Sequence, residues 1–174
     1  RLLALREAWT TFHAHWSSTG KTYRYRLSFS GESRAWRLPS DRFPYRVLDL
    51  ARLAEALAVL EGAPDVSALE VEGEHGPSSR RLERARIHET GPRGTTLEFA
   101  AAGFGKYLVR HLVAAAVGYS VGAYDACGLA RMLSGAAPRP PRAPAEGLCL
   151  HRVHYPAETD PFPDLEALVD PSFC

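Results

Sequence analysis

The sequence predicts an α+β fold: a mostly antiparallel β-sheet with helices packed on one face. Three observations carry that reading. Residues 21–30 alternate strictly between apolar and polar, one stretch repeats apolar residues at helical spacing while another is an almost unbroken apolar run suited to a buried helix, and two further strands meet at a Gly-Pro-Arg-Gly turn. The resulting order of strand, helix, strand, strand, helix, helix, strand fits a sheet covered by helices on one side.

In the first strand, Tyr23, Tyr25, Leu27 and Phe29 share one face, and Thr22, Arg24, Arg26 and Ser28 share the other. From Asp49, a side chain suited to capping a helix, Leu50, Leu53, Ala54, Leu57 and Leu60 recur at helical spacing until Gly62. A loop at Glu72–Pro77 leads to strands over about 81–89 and 95–101, joined as a hairpin by Gly91–Gly94. A strongly apolar helix is expected from about 105 to 121. A shorter one follows over 125–134 with Asp125 as its cap, then a proline-rich loop over 135–144. Residues 148–155 alternate as a last strand. The acidic, proline-punctuated residues 157–174 read as a loose tail after one unit spanning 1–156.

With 174 residues the chain can bury a sizeable core without metals or staples. A formal charge of +1 argues against a generic polycation, so nucleic-acid binding would have to be local. The cysteines, Cys127, Cys149 and Cys174, are few, odd in number and far apart, which suggests neither a disulfide framework nor a metal site. No apolar run reaches the roughly 20 residues of a membrane span, and no signal peptide is recognisable. The sparse cysteine usage leads to the expectation of a cytoplasmic address. Opening on Arg1 rather than Met suggests a partial or trimmed chain.

Arg110 interrupts the apolar run 107–117. On a helix its neighbours three and four positions away are Lys106, Tyr107, Val113 and Ala114, none of which is acidic. A buried guanidinium without a counter-charge costs several kcal/mol, about 3–5 when a carboxylate partner is removed. Two readings stay open: the side chain reaches solvent or a distant structural acid, or it orients an active-site carboxylate. Elsewhere the bland alternatives are specific. Tyr23 and Tyr25 read as packed sheet aromatics. Lys21, Arg24 and Arg26 read as solvated charges or phosphate contacts. The run Arg80, Arg81, Arg84, Arg86 reads as a solvent face or a phosphate track. Arg139 and Arg142 read as solubilising charges. His13 and His15 have no third ligand nearby, and no metal is expected.

Four strings occur in order: Phe12-His-Ala14, Lys21-Thr-Tyr-Arg-Tyr25, Gly103-Phe104 leading to Leu108-Val-Arg110, and Ala143-Pro-Ala-Glu-Gly-Leu148 continuing to Val153 and Tyr155. Together they resemble the tRNA pseudouridine synthase A family, specifically its C-terminal half. That resemblance implies a pseudouridine synthase-like fold and isomerisation of uridine to pseudouridine in the tRNA anticodon stem-loop, with no metal or cofactor. It implies that Tyr23 stacks on the target uracil and assists proton transfer, and that Arg110 holds the catalytic aspartate. Lys21, Arg24, Arg26, Arg80, Arg81 and Lys106 become RNA-binding candidates, and the expected partners are tRNA and a second copy in a homodimer. The family's aspartate loop is expected upstream of residue 1, so the chain alone is expected to be inactive. A non-catalytic RNA-binding module derived from the family is the alternative, and a structural or dimerising domain a third. The chain departs from the family at His15, at Lys106 and Tyr107, and at His111, where the family has arginine, a polar pair and asparagine.

Overall fold

The computed structural model describes residues 5–28, 48–71, 80–92 and 94–164. Phe29, Ser30, the loop 72–77, Arg93 and most of the tail lie outside the described residues. Strand β1 (Gly20–Ser28) is followed by helix α1 (Leu50–Gly62), a single 3-10 turn at Ser67–Leu69, β2 (Arg84–Gly91) and β3 (Gly94–Ala101). Helices α2 (Leu108–Ser120) and α3 (Ala126–Leu133) and strand β4 (Leu148–His154) complete the order. The sheet runs β2-β3-β1-β4, and every pairing is antiparallel.

The register follows from the alternation. Tyr25 and Leu27 face the core with Leu97 and Phe99 of β3, and Tyr23 packs at its margin. The apolar stripe of α1 (Leu53, Ala56, Leu57, Leu60) and nearly all of α2 close that side. Both predicted caps form: Asp49 accepts from the backbone N–H groups of Ala51 and Arg52, and Asp125 from Gly128. Edge strand β2 is tied to α1 where the Ala85 N–H donates to the Glu61 carboxylate at 2.7 Å.

Two expectations shift. Helix α2 starts at Leu108 rather than near 105, because Tyr107 at its N-cap holds a left-handed conformation, φ 63°. Arg110 is thus in the first turn rather than mid-helix, where the helix dipole disfavours a cation. Cys149 in β4 is disulfide-bonded, whereas Cys127 is free and exposed. Among the described residues no helix is long and apolar enough to cross a membrane.

Candidate active site

The four sequence strings, spread over more than 140 positions, meet pairwise. Phe12 packs its ring against Tyr155 at 5.0 Å, and the Tyr155 hydroxyl donates to the Ala14 carbonyl at 2.9 Å. Tyr23 meets the edge of Phe104 at 5.1 Å and 83°. The Ala143–Gly147 segment fastens the other two. Its Pro144 carbonyl accepts from the Tyr25 hydroxyl at 2.9 Å, and its Ala143 carbonyl accepts from Arg110 Nε at 2.5 Å. The Ala143 N–H returns a bond to the Arg110 carbonyl at 3.1 Å. Gly147 permits this approach: a Cβ there would lie 2.8 Å from both the Tyr25 ring and the Arg26 carbonyl.

Arg110 is half-buried and its Nε is spoken for by a carbonyl, which fixes the plane of the guanidinium without neutralising it. Among the described residues no carboxylate makes an ion pair with it. A charge-bearing fork held in place with its terminal nitrogens uncommitted is suited to a carboxylate or phosphate arriving from outside these residues. Tyr25 is fully buried; burial pushes its phenol well above the usual tyrosine range, opposed by the nearby Arg110 charge and reinforced by Glu146. Tyr23 is only half-buried, and its phenol is likewise raised by burial. It therefore stays protonated at neutral pH.

His111 lies beside Arg110 and contacts the proline-rich loop just before that segment, with Nδ1 2.9 Å from the Pro140 carbonyl. If that nitrogen carries the proton, it donates to the carbonyl. Nε2 is buried and has no hydrogen-bond partner among the described residues. Burial lowers the His111 pKa from its ordinary 6.5; the Pro140 bond opposes this, and the charges of Arg139, Arg142 and Arg110 add to the lowering.

The other candidates divide. Lys21 shares the strand face of Tyr23, and Lys106 is exposed beside the site, with its Nζ 5.5 Å from the centre of the Tyr107 ring. Arg24 and Arg26 lie on the opposite face of the sheet. There Arg24 is bound to Glu98 at 3.1 Å, and Arg26 is half-buried. Arg80 pairs with the buried Glu70 at 3.3 Å. Arg81 lines a groove of about 1090 Å³ between α1 and β2 that contains no residue of the Ala143–Gly147 segment. His13 Nδ1 accepts from the backbone N–H groups of His15 and Trp16, a local turn.

Sequence reasoning passed over two participants. Tyr107 is 37% exposed, and the Arg142 guanidinium sits over its ring at 4.3 Å, so this arginine of the proline loop is packed at the site. Arg110 lies 5.7 Å from the same ring. The available signal was an aromatic residue next to a lysine immediately before an apolar helix. Nothing in the pattern pointed to the loop that joins it.

Residues 56–156, which include Arg110, all of α2 and the Ala143–Gly147 segment, match the tRNA pseudouridine synthase family. The chain belongs to this family. Tyr23 lies before the matched range. A tRNA pseudouridine synthase A of Solidesulfovibrio magneticus is 36% identical over 153 residues, covering 84% of this chain and 56% of that protein. Proteins of the same name from Roseiflexus castenholzii and Geobacter sulfurreducens are 31% and 30% identical, covering 90% and 86% of this chain. The chain spans 56% to 62% of the length of these relatives. The antiparallel sheet with helices on one face agrees with the fold expected for the family.

Proposed function

We propose that the chain supplies the tyrosine–arginine part of the active site of a tRNA pseudouridine synthase, corresponding to the C-terminal half of the family, which converts uridine to pseudouridine in the tRNA anticodon stem-loop. The observation that carries this reading is Arg110: a guanidinium held in plane by the Ala143 carbonyl, with no acid paired to it among the described residues. In this reading the catalytic aspartate belongs to a part of the enzyme that the chain does not span, and Arg110 holds that carboxylate ionised and aimed at the nucleoside. Tyr23, protonated and packed against Phe104, stacks on the uracil and supplies or accepts a hydrogen bond while the base is released, turned and rejoined through carbon. Tyr25 is a structural post beneath them. The substrate is tRNA, the compartment the cytoplasm and the assembly a homodimer, as the family resemblance implies.

The test is reconstitution with the missing half of a close relative, followed by tritium release from 5-tritiated uridine in tRNA. The wild type should form pseudouridine, and Arg110→Ala should lower the rate by at least about a hundredfold, the scale of losing one pre-organised charge contact. Turnover at the wild-type rate by that variant would remove Arg110 from the mechanism. A second reading, a non-catalytic RNA-binding module, is favoured by the cations around the exposed Tyr107 ring, which need no aspartate to grip RNA. No pseudouridine from the reconstituted enzyme, together with salt-sensitive tRNA binding, would select it.

A further inference from the structure

Tyr107 combines three features that its place in the chain does not require. Its backbone is left-handed, φ 63°, a conformation an aromatic L-residue rarely adopts and one that tends to persist where a side chain has a task. The residue remains 37% exposed although it caps an otherwise largely buried helix. Three cations converge on that ring, Arg142 at 4.3 Å, Lys106 at 5.5 Å and Arg110 at 5.7 Å, and among the described residues none of the three forms an ion pair with an acid. Three like charges around one ring repel one another, and the π face of the ring offsets only part of that. The missing component is an anion, and the exposed ring calls for a flat partner. A nucleotide has both.

We propose that Tyr107, Lys106 and Arg142 form a binding platform for a nucleotide of single-stranded RNA that flanks the reacting uridine. The base stacks on the Tyr107 ring in the place now taken by the Arg142 guanidinium. Arg142, on an exposed loop, swings to the adjoining phosphate, and Lys106 takes the same backbone from the other side. Arg110, half-buried 5.7 Å from the ring, stays with the carboxylate of the active site, so the platform positions the neighbour of the target rather than the target itself. The inference rests on the proposed function for the identity of the ligand as RNA. Its failure is nevertheless separable, because binding is read here and catalysis there.

The experiment uses the chain as it stands, with two labelled probes: a single-stranded ten-residue oligouridylate and an abasic ribose-phosphate oligomer of equal length. Tyr107→Ala should weaken oligouridylate binding by about tenfold to a hundredfold, as loss of one base–aromatic stack does, while leaving the weaker abasic binding unchanged. Tyr107→Phe, which keeps the ring, should bind as the wild type. Arg142→Ala should flatten the dependence of log affinity on log salt by about 0.7, the equivalent of one single-strand phosphate contact. Thermal unfolding of each variant identifies any loss due to misfolding, with Tyr107→Phe as the ring-retaining control. Oligouridylate binding by Tyr107→Ala within twofold of the wild type, an equal loss on the abasic probe, or no oligouridylate binding by the wild-type chain at low salt would overturn the platform. A platform that passes alongside a reconstituted enzyme making no pseudouridine would sink only the catalytic reading.

Discussion

Two clusters of cations among the described residues are treated oppositely by the fold. On the open face of the sheet, Glu98 of β3 is 3% exposed and receives Arg86 at 2.9 Å, Arg24 at 3.1 Å, Arg84 at 3.4 Å and His88 at 3.5 Å. At the start of α2, Lys106, Arg110 and Arg142 surround Tyr107, and among the described residues no carboxylate is paired to any of them. The first cluster has its counter-charge inside the sheet and holds strands β1, β2 and β3 together. The second has a soft aromatic face where the counter-charge would be. Charge density alone therefore does not identify a ligand site in this protein; what separates the two is whether an acid of the fold already answers the cations. Arg24, an RNA-binding candidate from sequence, falls in the first group, and Lys106 in the second.

The sharpest way to break the comparison is to remove the acid from the first cluster. Glu98→Gln leaves the arginine donors without a charged acceptor and should cost about 1–3 kcal/mol of stability, toward the lower end because Arg84 and Arg86 are half-exposed. For a chain of this size the melting temperature should fall by roughly 2–4 °C per kcal/mol, readable by calorimetry. An unchanged melting temperature would mean that the open-face cluster is as unbound as the one at α2, and the distinction would collapse.

A pH titration of stability separates the regions more gently. Burial raises the Glu98 pKa, but hydrogen bonds from Arg86 and Arg24 and the charges of Arg86 and His88 outweigh it, so the net position lies below the ordinary 4.5. The unfolded chain then takes up this proton first as pH falls. The stabilisation is complete above about pH 4.5 and is lost as pH drops through the folded value. His111 acts in a different window. Its folded pKa is lowered from 6.5, so between that value and its folded pKa the unfolded state holds the extra proton, and stability declines as pH falls below 6.5. Glu98→Gln should abolish the first limb and spare the second; His111→Asn should do the reverse. Denaturant midpoints measured from pH 3 to pH 8 would show a single shared limb if the assignment were wrong.

Much of this was legible in the chain, for physical reasons. Strands β1 and β4 follow from period-two alternation, the β2–β3 hairpin from its turn, α1 from helical spacing and α2 from its apolar run, and Asp49 and Asp125 cap the helices they precede, whereas the 3-10 turn at Ser67–Leu69 left no such signal. Arg110 stood out because no residue within a helical turn of it is acidic. What stayed hidden depends on distance along the chain. Glu98 is 74 positions from Arg24 and Arg110 is 33 from Ala143, so neither contact leaves a trace in local pattern. Arg142 read as solubilising because a proline loop says nothing about where it docks. The start of α2 was placed too early because hydrophobicity continues through Tyr107 while the backbone does not.

That backbone offers the finest test, with the smallest expected effect. A helix position normally favours Ala over Gly by about 1 kcal/mol. At φ 63° the order should invert: Tyr107→Ala loses the ring and keeps a Cβ in a left-handed conformation, whereas Tyr107→Gly loses the ring and relieves the conformation. The ring's exposed cation–π contacts contribute about 0.5–1 kcal/mol each, and part of that returns when three cations no longer need to crowd one another. Tyr107→Gly should therefore unfold within about 1 kcal/mol of the wild type and above Tyr107→Ala, because a Cβ in the left-handed region costs about 1–2 kcal/mol, more than the roughly 0.4–1 kcal/mol that glycine loses through its freer unfolded chain. Equal loss in both variants would make the ring, not the backbone, the stabilising element at the start of α2. Tyr107 would then belong with Glu98 as a part of the scaffold, and its exposure would no longer set the second cluster apart from the first.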